Sequence, residues 1–172
     1  MDFEQLIRRR RSIRQFTDEP LTDNEVETIL RAALMAPSSK NSTPWTFVVV
    51  SDKEKLRQLA ASKTSGASFL ESCVMAVVVL ADSNASDAWI ADASIASIYM
   101  QLQAEDIGLG SCWCHLHNRT AVDGSDSAVY VRRLLHIAEP LEILSIIAFG
   151  HKNQERRPFG DERFQWNKVM KA

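Results

Sequence analysis

Residues Arg8 to Phe16 read Arg-Arg-Arg-Arg-Ser-Ile-Arg-Gln-Phe, which puts five guanidinium groups and a hydroxyl into one short stretch. A guanidinium is planar, permanently charged and carries forked donors that match two phosphate oxygens, and Ser12 adds a neutral donor. The chemistry this suits is the holding of one phosphate group. Charge alone leaves two other readings open, a solvated basic face and a nucleic-acid patch.

A second stretch, Pro37-Ser38-Ser39-Lys40-Asn41-Ser42-Thr43-Pro44-Trp45, is a loop of small polar side chains. Such loops bring several donors to one ligand, although Pro, Ser and Asn equally suit a helix end followed by a turn. A third, Cys112-Trp113-Cys114-His115-Leu116-His117, offers two thiols and two imidazoles, all good zinc ligands. On a strand, however, Cys112, Cys114 and Leu116 point to one face while Trp113, His115 and His117 point to the other. The four ligands cannot then converge on one ion, and no metal site is expected. The chain carries no recognisable Ser/His/Asp or Cys/His nucleophile motif and no Gly-x-Gly-x-x-Gly fingerprint.

The elements that must position these residues follow from periodicity and caps. Phe3, Leu6 and Ile7 recur at helical spacing behind Asp2, so a short helix runs into the arginines, its cationic end where the helix dipole favours it. Thr22 to Glu25 is a capping box, and Val26, Ile29, Leu30, Ala33 and Leu34 mark the apolar face of a second helix that stops before Pro37. Buried strands are predicted from Trp45 to Val50, Cys73 to Leu80, Gly110 to His115 and Ile143 to Phe149. Helices are predicted from Lys53 to Ala61, Asp87 to Glu105 and Ser127 to Leu135, with a loop at Thr64 to Ser68. In the long helix, Ala91, Ile95, Ile98 and Leu102 form a wide apolar stripe that suits a crowded centre such as a dimer core. Interleaved helices and strands without an internal repeat or long linker indicate one α+β or α/β domain over residues 1–172, with 151–172 as a polar C-terminal extension.

Composition bounds the function. A chain of 172 residues with 45% hydrophobic residues can build one sizeable core. The net charge of -2 gives no general field toward nucleic acid or anionic membrane, so neither partner is expected and any anion site must come from local clustering. Three cysteines, an odd number, and a start without a signal peptide point to a reducing cytoplasm. No run reaches the roughly 18 to 20 apolar residues of a membrane helix.

Taken together, Arg10 to Phe16 and Ala36 to Trp45 resemble the FMN-binding signature of the nitroreductase family, an Arg-Arg-Ser-x-Arg-x-Phe start followed, after a capped helix, by Ala-Pro-Ser-Ser-x-Asn-x-x-Pro-Trp. The resemblance continues through Leu109-Gly110-Ser111-Cys112-Trp113 and the late strand Ile146 to Gly150 with its basic tail. It implies an α+β fold with a central, mainly antiparallel sheet flanked by helices, acting as a homodimer with FMN at the subunit interface. It implies that Arg10, Arg11, Ser12 and Arg14 contact FMN, Arg14 lying nearer the pyrimidine, where a cation favours electron uptake by the flavin.

By the same resemblance, Pro37, Ser38, Ser39 and Asn41 reach the flavin from the other subunit, and His115 and Leu116 offer backbone N–H groups to flavin N5. Arg156 or Arg157 returns from the tail to the phosphate. Thr43 departs from the Gln that many relatives carry before Pro-Trp, removing a long amide donor. The implied activity is hydride transfer from NAD(P)H through FMN to a nitroaromatic, quinone or similar small acceptor by a ping-pong mechanism. No side chain is expected to be catalytic, because the flavin carries the chemistry. The alternative is a non-catalytic flavin-binding or flavin-sensing protein of the same fold.

Overall fold

Helices start where a short polar side chain takes up the N–H groups that the first turn leaves without partners. In the computed structural model, which describes residues 2–138 and 140–172, Asp2 accepts from Gln5 N at the start of α1 (Phe3–Arg9). Thr22 and Glu25 close a reciprocal capping box on α2 (Asp23–Leu34). Asp52 caps α3 (Lys53–Ala60) and Asp126 caps α5 (Ser127–Leu135). The longest helix, α4 (Trp89–Asp106), has no capping side chain before it.

Four strands, β1 (Trp45–Val50), β2 (Met75–Ala81), β3 (Gly110–His115) and β4 (Glu142–Gly150), form one sheet in the order β1-β2-β4-β3. Every neighbouring pair is antiparallel. All of β2, and β4 beyond Glu142, is buried, so these strands read as unbroken apolar runs rather than alternating ones because both faces are covered. On one face, Ile29 and Ala33 of α2 and Met100 and Ala104 of α4 pack on Val77, Val79, Ile147 and Phe149. On the other, Leu56 and Leu59 of α3, Leu70 and Val131 pack on Val78, Ile146 and Ala148. Each fully buried aliphatic side chain contributes on the order of 1.5 to 3 kcal/mol.

The chain between α1 and α2 crosses the end of the sheet. Ser12 bridges Ser111 in parallel, and Phe16 bridges Lys152 antiparallel. Ile13 N donates to Ser111 O at 3.0 Å, and Thr17 N donates to His151 O at 3.0 Å. Two glycines permit the crossing: a Cβ on Gly110 would stand 2.8 Å from Ile13 Cγ2, and one on Gly150 would stand 3.0 Å from Phe16 Cδ1.

Helix α4 turns Ala93, Ala96, Met100 and Ala104 inward. The stripe predicted for a crowded centre is on its outer side: Ala91 and Ile98 are exposed, and Ile95 and Leu102 are only partly covered. No described helix is long and apolar enough to cross a membrane.

Candidate functional site

The arginines of the first segment meet the tail. Arg10, Arg11, Ser12, Arg14, Arg156, Arg157 and Arg163 line one pocket of about 390 Å³. Among the described residues, none of these six guanidiniums is within ion-pair distance of a carboxylate, whereas Arg8, Arg31, Arg57 and Arg133 each have one at 2.7 Å or closer. Burial and the neighbouring charges of Arg10 and Arg163 push the Arg11 pKa down. A pocket lined by mutually repelling cations and a neutral hydroxyl is suited to an anion with several acceptor oxygens.

The tail that completes the pocket is held by stacking on α1. The guanidinium carbons of Arg11 and Arg163 lie 5.5 Å and 4.6 Å from the Phe159 centroid, and that of Arg8 lies 5.3 Å from the Phe164 centroid. Phe159 N donates to Arg8 O at 2.8 Å, and Arg8 pairs with Asp161 at 2.6 Å. Such cation–π contacts give about 0.5 to 1 kcal/mol each at exposed sites. Lys152 points elsewhere: its Nζ donates to both oxygens of Glu105 at 2.8 Å, and Arg9 Nε is 3.9 Å from the same carboxylate. Glu105 is buried at the end of α4, so this contact fixes the turn from β4 into the tail.

The Pro37 to Thr43 loop is ordered by different means. Ser39 N donates to Asp92 Oδ1 at 2.8 Å, and Ser86 Oγ donates to Asp92 Oδ2 at 2.7 Å, so one buried carboxylate in the first turn of α4 ties the loop to the helix. Ser38 Oγ accepts from Thr43 N at 2.9 Å. Lys40, Asn41 and Thr43 have φ of 50°, 55° and 43°, a left-handed conformation that side chains other than those of Gly, Asn and Asp rarely adopt and that costs of order 1 kcal/mol or more. Strain at two residues of one loop, Lys40 and Thr43, is a feature of functional segments. Ser42 Oγ is buried with no hydrogen-bond partner among the described residues.

Within one chain the two segments do not meet. The loop enters β1 at one edge of the sheet, and Ser12 lies alongside β3 at the other. Four inter-strand steps of about 4.8 Å separate them laterally. They also lie toward opposite ends of the strands, since Trp45 leads β1 from the Ala81 end of β2, while Ser111 pairs with Phe149 at the Gly150 end of β4.

Strand β3 carries the third predicted group. Cys112, Cys114 and Leu116 enter the core beside Ile146 and Ala148. Trp113, His115 and His117 line the opposite face, with Trp113 and His115 stacked at 6.2 Å and Trp89 edge-on to His117 at 5.2 Å. Among the described residues no group of His, Cys, Asp and Glu side chains could hold a metal. Leu116 N donates to Leu144 O at 3.0 Å, so it is not free to serve flavin N5 as the resemblance implied. Antiparallel alternation then turns the N–H of His115 to the open edge of β3. Burial first, then the charges of Arg119, His117 and Lys63, lower the His115 pKa. Burial drives the thiols the other way, Cys73 to about 12 and Cys114 to about 11.

Arg163 and Asp92 were missed by sequence reasoning. Arg163 lies in what reads as a featureless polar tail, and its only signal is its place in Phe159-Gly160-Asp161-Glu162-Arg163-Phe164, charges interleaved with aromatics. Asp92 is the one carboxylate in the small, apolar first half of its helix, a pattern that marks a buried anchor once the helix is recognised.

A one-sheet α+β body with a cationic pocket at one sheet edge and a strained polar loop at the other defines the class, and comparison with known proteins names it. The model of the nitroreductase family matches residues 7–71 and 62–151, and the chain belongs to that family. It is 34% identical over 169 residues to a protein of Archaeoglobus fulgidus provisionally named NADH dehydrogenase/NAD(P)H nitroreductase, covering 95% of this chain and 94% of the relative. Its fold superimposes on an FMN-dependent nitroreductase from Clostridium difficile R20291 with a TM-score of 0.95, 39% identity and 98% of each chain covered. A provisionally assigned nitroreductase from Desulfovibrio desulfuricans, solved in complex with FMN, aligns with a TM-score of 0.78 and 26% identity over 98% of this chain and 95% of that one.

Proposed function

We propose that this protein is an FMN-dependent oxidoreductase that works as a homodimer, taking a hydride from NAD(P)H and delivering it to a small, flat, electron-poor acceptor such as a nitroaromatic or a quinone. The observation that carries this reading is the pocket of six guanidiniums without carboxylate partners, in a family member whose solved relative binds FMN. When bound, FMN supplies the hydride-carrying chemistry at N5, which no side chain of this chain provides.

The residues divide the remaining work. Arg10, Arg11 and Ser12 hold the phosphate through charge-assisted donors, and Arg156 or Arg157 closes over it from the tail. Arg14, which lines the same pocket, offsets negative charge on the pyrimidine end of the ring system. The His115 N–H on the open edge of β3 donates to N5. Pro37, Ser38, Ser39 and Asn41 come from the second subunit, since the loop and the arginines of one chain lie at opposite edges of the sheet. With Thr43 in place of a longer amide, that loop covers less of the ring and leaves room for the acceptor. Donor and acceptor use the same exposed face in turn, which makes the kinetics ping-pong.

The test is the visible spectrum of the purified protein, followed by anaerobic titration with NADH and NADPH and then reoxidation by a quinone or nitroaromatic. The expected result is a bound flavin that is bleached stoichiometrically and recovered by the acceptor. Colourless protein whose spectrum is unchanged on adding FMN overturns the reading.

A further inference from the structure

The cationic pocket holds more charge than one phosphate monoester neutralises. Six guanidiniums line it and no carboxylate does, whereas a phosphate monoester carries about -1.5 to -2 at neutral pH. A single such group bound there leaves roughly four positive charges crowded together and still repelling one another. The excess cations are also placed by their own contacts. Arg163 stacks on Phe159, the ring that Arg11 also contacts, in a turn whose Arg163 N donates to Gly160 O at 3.1 Å. With the side-chain amide of Gln154 turned so that its oxygen faces them, it accepts from the backbone N–H groups of Arg14 and Gln15 and fastens the segment before Arg156 and Arg157 to the strip that carries Ser12. The pocket therefore draws its cations from two segments, a first bank of Arg10, Arg11 and Arg14 after α1 and a tail bank of Arg156, Arg157 and Arg163.

We infer that, with Arg156 as the tail residue on the FMN phosphate, Arg157 and Arg163 bind a second phosphate beside it, a phosphate of the nicotinamide dinucleotide donor. The inference rests on the FMN reading above and adds to it a charge-based selection of the donor. Two phosphates of such a donor have the required chemistry, the 2′-monoester that distinguishes NADPH from NADH and the pyrophosphate common to both. If the 2′-monoester is the ligand, the enzyme prefers NADPH; if the pyrophosphate is, the two donors are used alike.

The experiment is calorimetric titration of the FMN-loaded protein, at about 0.15 M salt where long-range attraction is screened beyond roughly 8 Å, with adenosine, 2′-AMP and ADP as probes. One charge-assisted contact pair corresponds to about tenfold in affinity or more. The expected result is that 2′-AMP or ADP binds at least about tenfold tighter than adenosine, the tighter of the two naming the source. That gain is expected to collapse in Arg163→Gln and Arg157→Gln, to survive in part in Arg163→Lys, and to persist in Lys168→Gln, which removes a tail cation outside the pocket. Equal binding of all three probes to yellow protein overturns the second phosphate while leaving the FMN reading standing. A gain that Lys168→Gln abolishes as fully as Arg163→Gln also overturns it, because a diffuse basic surface then explains the binding. Failure to load FMN at all overturns the underlying reading instead.

Discussion

At the scale of single residues, the site is a balance between like charges and what relieves them. Arg10 and Arg14 line the pocket without carboxylate partners among the described residues, so under the proposed function each contributes to binding a dianion more than to the stability of the empty protein. Arg10→Ala is expected to weaken FMN binding by roughly 10- to 100-fold, one to two charge-assisted hydrogen bonds, with little change in melting temperature; unchanged FMN affinity in a fluorescence titration would remove Arg10 from the site. The cysteines give a prediction in pH. Cys73 and Cys114 hold their protons to about 12 and about 11 when folded, against an ordinary thiol value of 9.0. From pH 9 upward the unfolded chain therefore binds fewer protons than the folded one, and stability falls as pH rises, by up to about 1.4 kcal/mol per pH unit per thiol, until the folded values are passed. Urea unfolding between pH 8 and pH 10.5 measures this, and a Cys114→Ala variant with an undiminished slope would contradict the assignment to that thiol. The residue types of the first arginine bank were legible in the sequence because they are adjacent. Arg163 was not, since its place depends on a stack against Phe159 that no local pattern encodes, and the engagement of the Leu116 amide by Leu144 depends on the pairing of β3 with β4.

Elements were legible to the extent that their signals are local. The caps at Asp2, Thr22, Asp52 and Asp126 start their helices where short polar side chains stand before apolar periodicity. Strand boundaries shifted by a residue or two, β2 running from Met75 to Ala81 rather than from Cys73 to Leu80. The order β1-β2-β4-β3 places β4, last in sequence, between β2 and β3, and pairing over such separations leaves no mark on either strand alone. The crossing of residues 12–16 over the sheet end depends on two glycines. Gly110→Ala brings a Cβ within 2.8 and 2.9 Å of Ile13 Cγ2 and Cβ; a side chain branched so close to its backbone cannot swing aside. The expected cost is about 1 to 3 kcal/mol from overpacking, with weaker FMN binding because Ser12 and Arg14 flank the displaced Ile13. Asp92→Ala leaves the Ser39 N–H and the Ser86 hydroxyl without their acceptor, and a loss of about 2 to 4 kcal/mol is expected. Chemical unfolding of both variants reads these values, and a change within about 0.5 kcal/mol, the size of a neutral surface substitution, would contradict the corresponding packing or hydrogen-bond role.

For the whole molecule, the decisive relation is between the two edges of the sheet. A strained loop beside β1 and an arginine pocket beside β3 lie on opposite edges and toward opposite ends of the strands, so under the proposed function one chain holds half of a site. Helix α4 is the surface proposed for that association: on its outer side Ile98 and Tyr99 are exposed at 36% and 39%, in line with Ala91, Ile95 and Leu102. Burying a surface of this kind against a second copy would satisfy a helix whose outer side is otherwise mismatched to water. A charge placed there, Ile98→Glu, is expected to yield monomers that lose FMN although every arginine is intact. The most direct measurement is sedimentation velocity of FMN-reconstituted protein, followed by both protein and visible flavin absorbance. The expected result is flavin absorbance moving only with a species of twice the chain mass, and disappearing from the Ile98→Glu monomer. Flavin sedimenting tightly bound to a single chain would contradict the shared site.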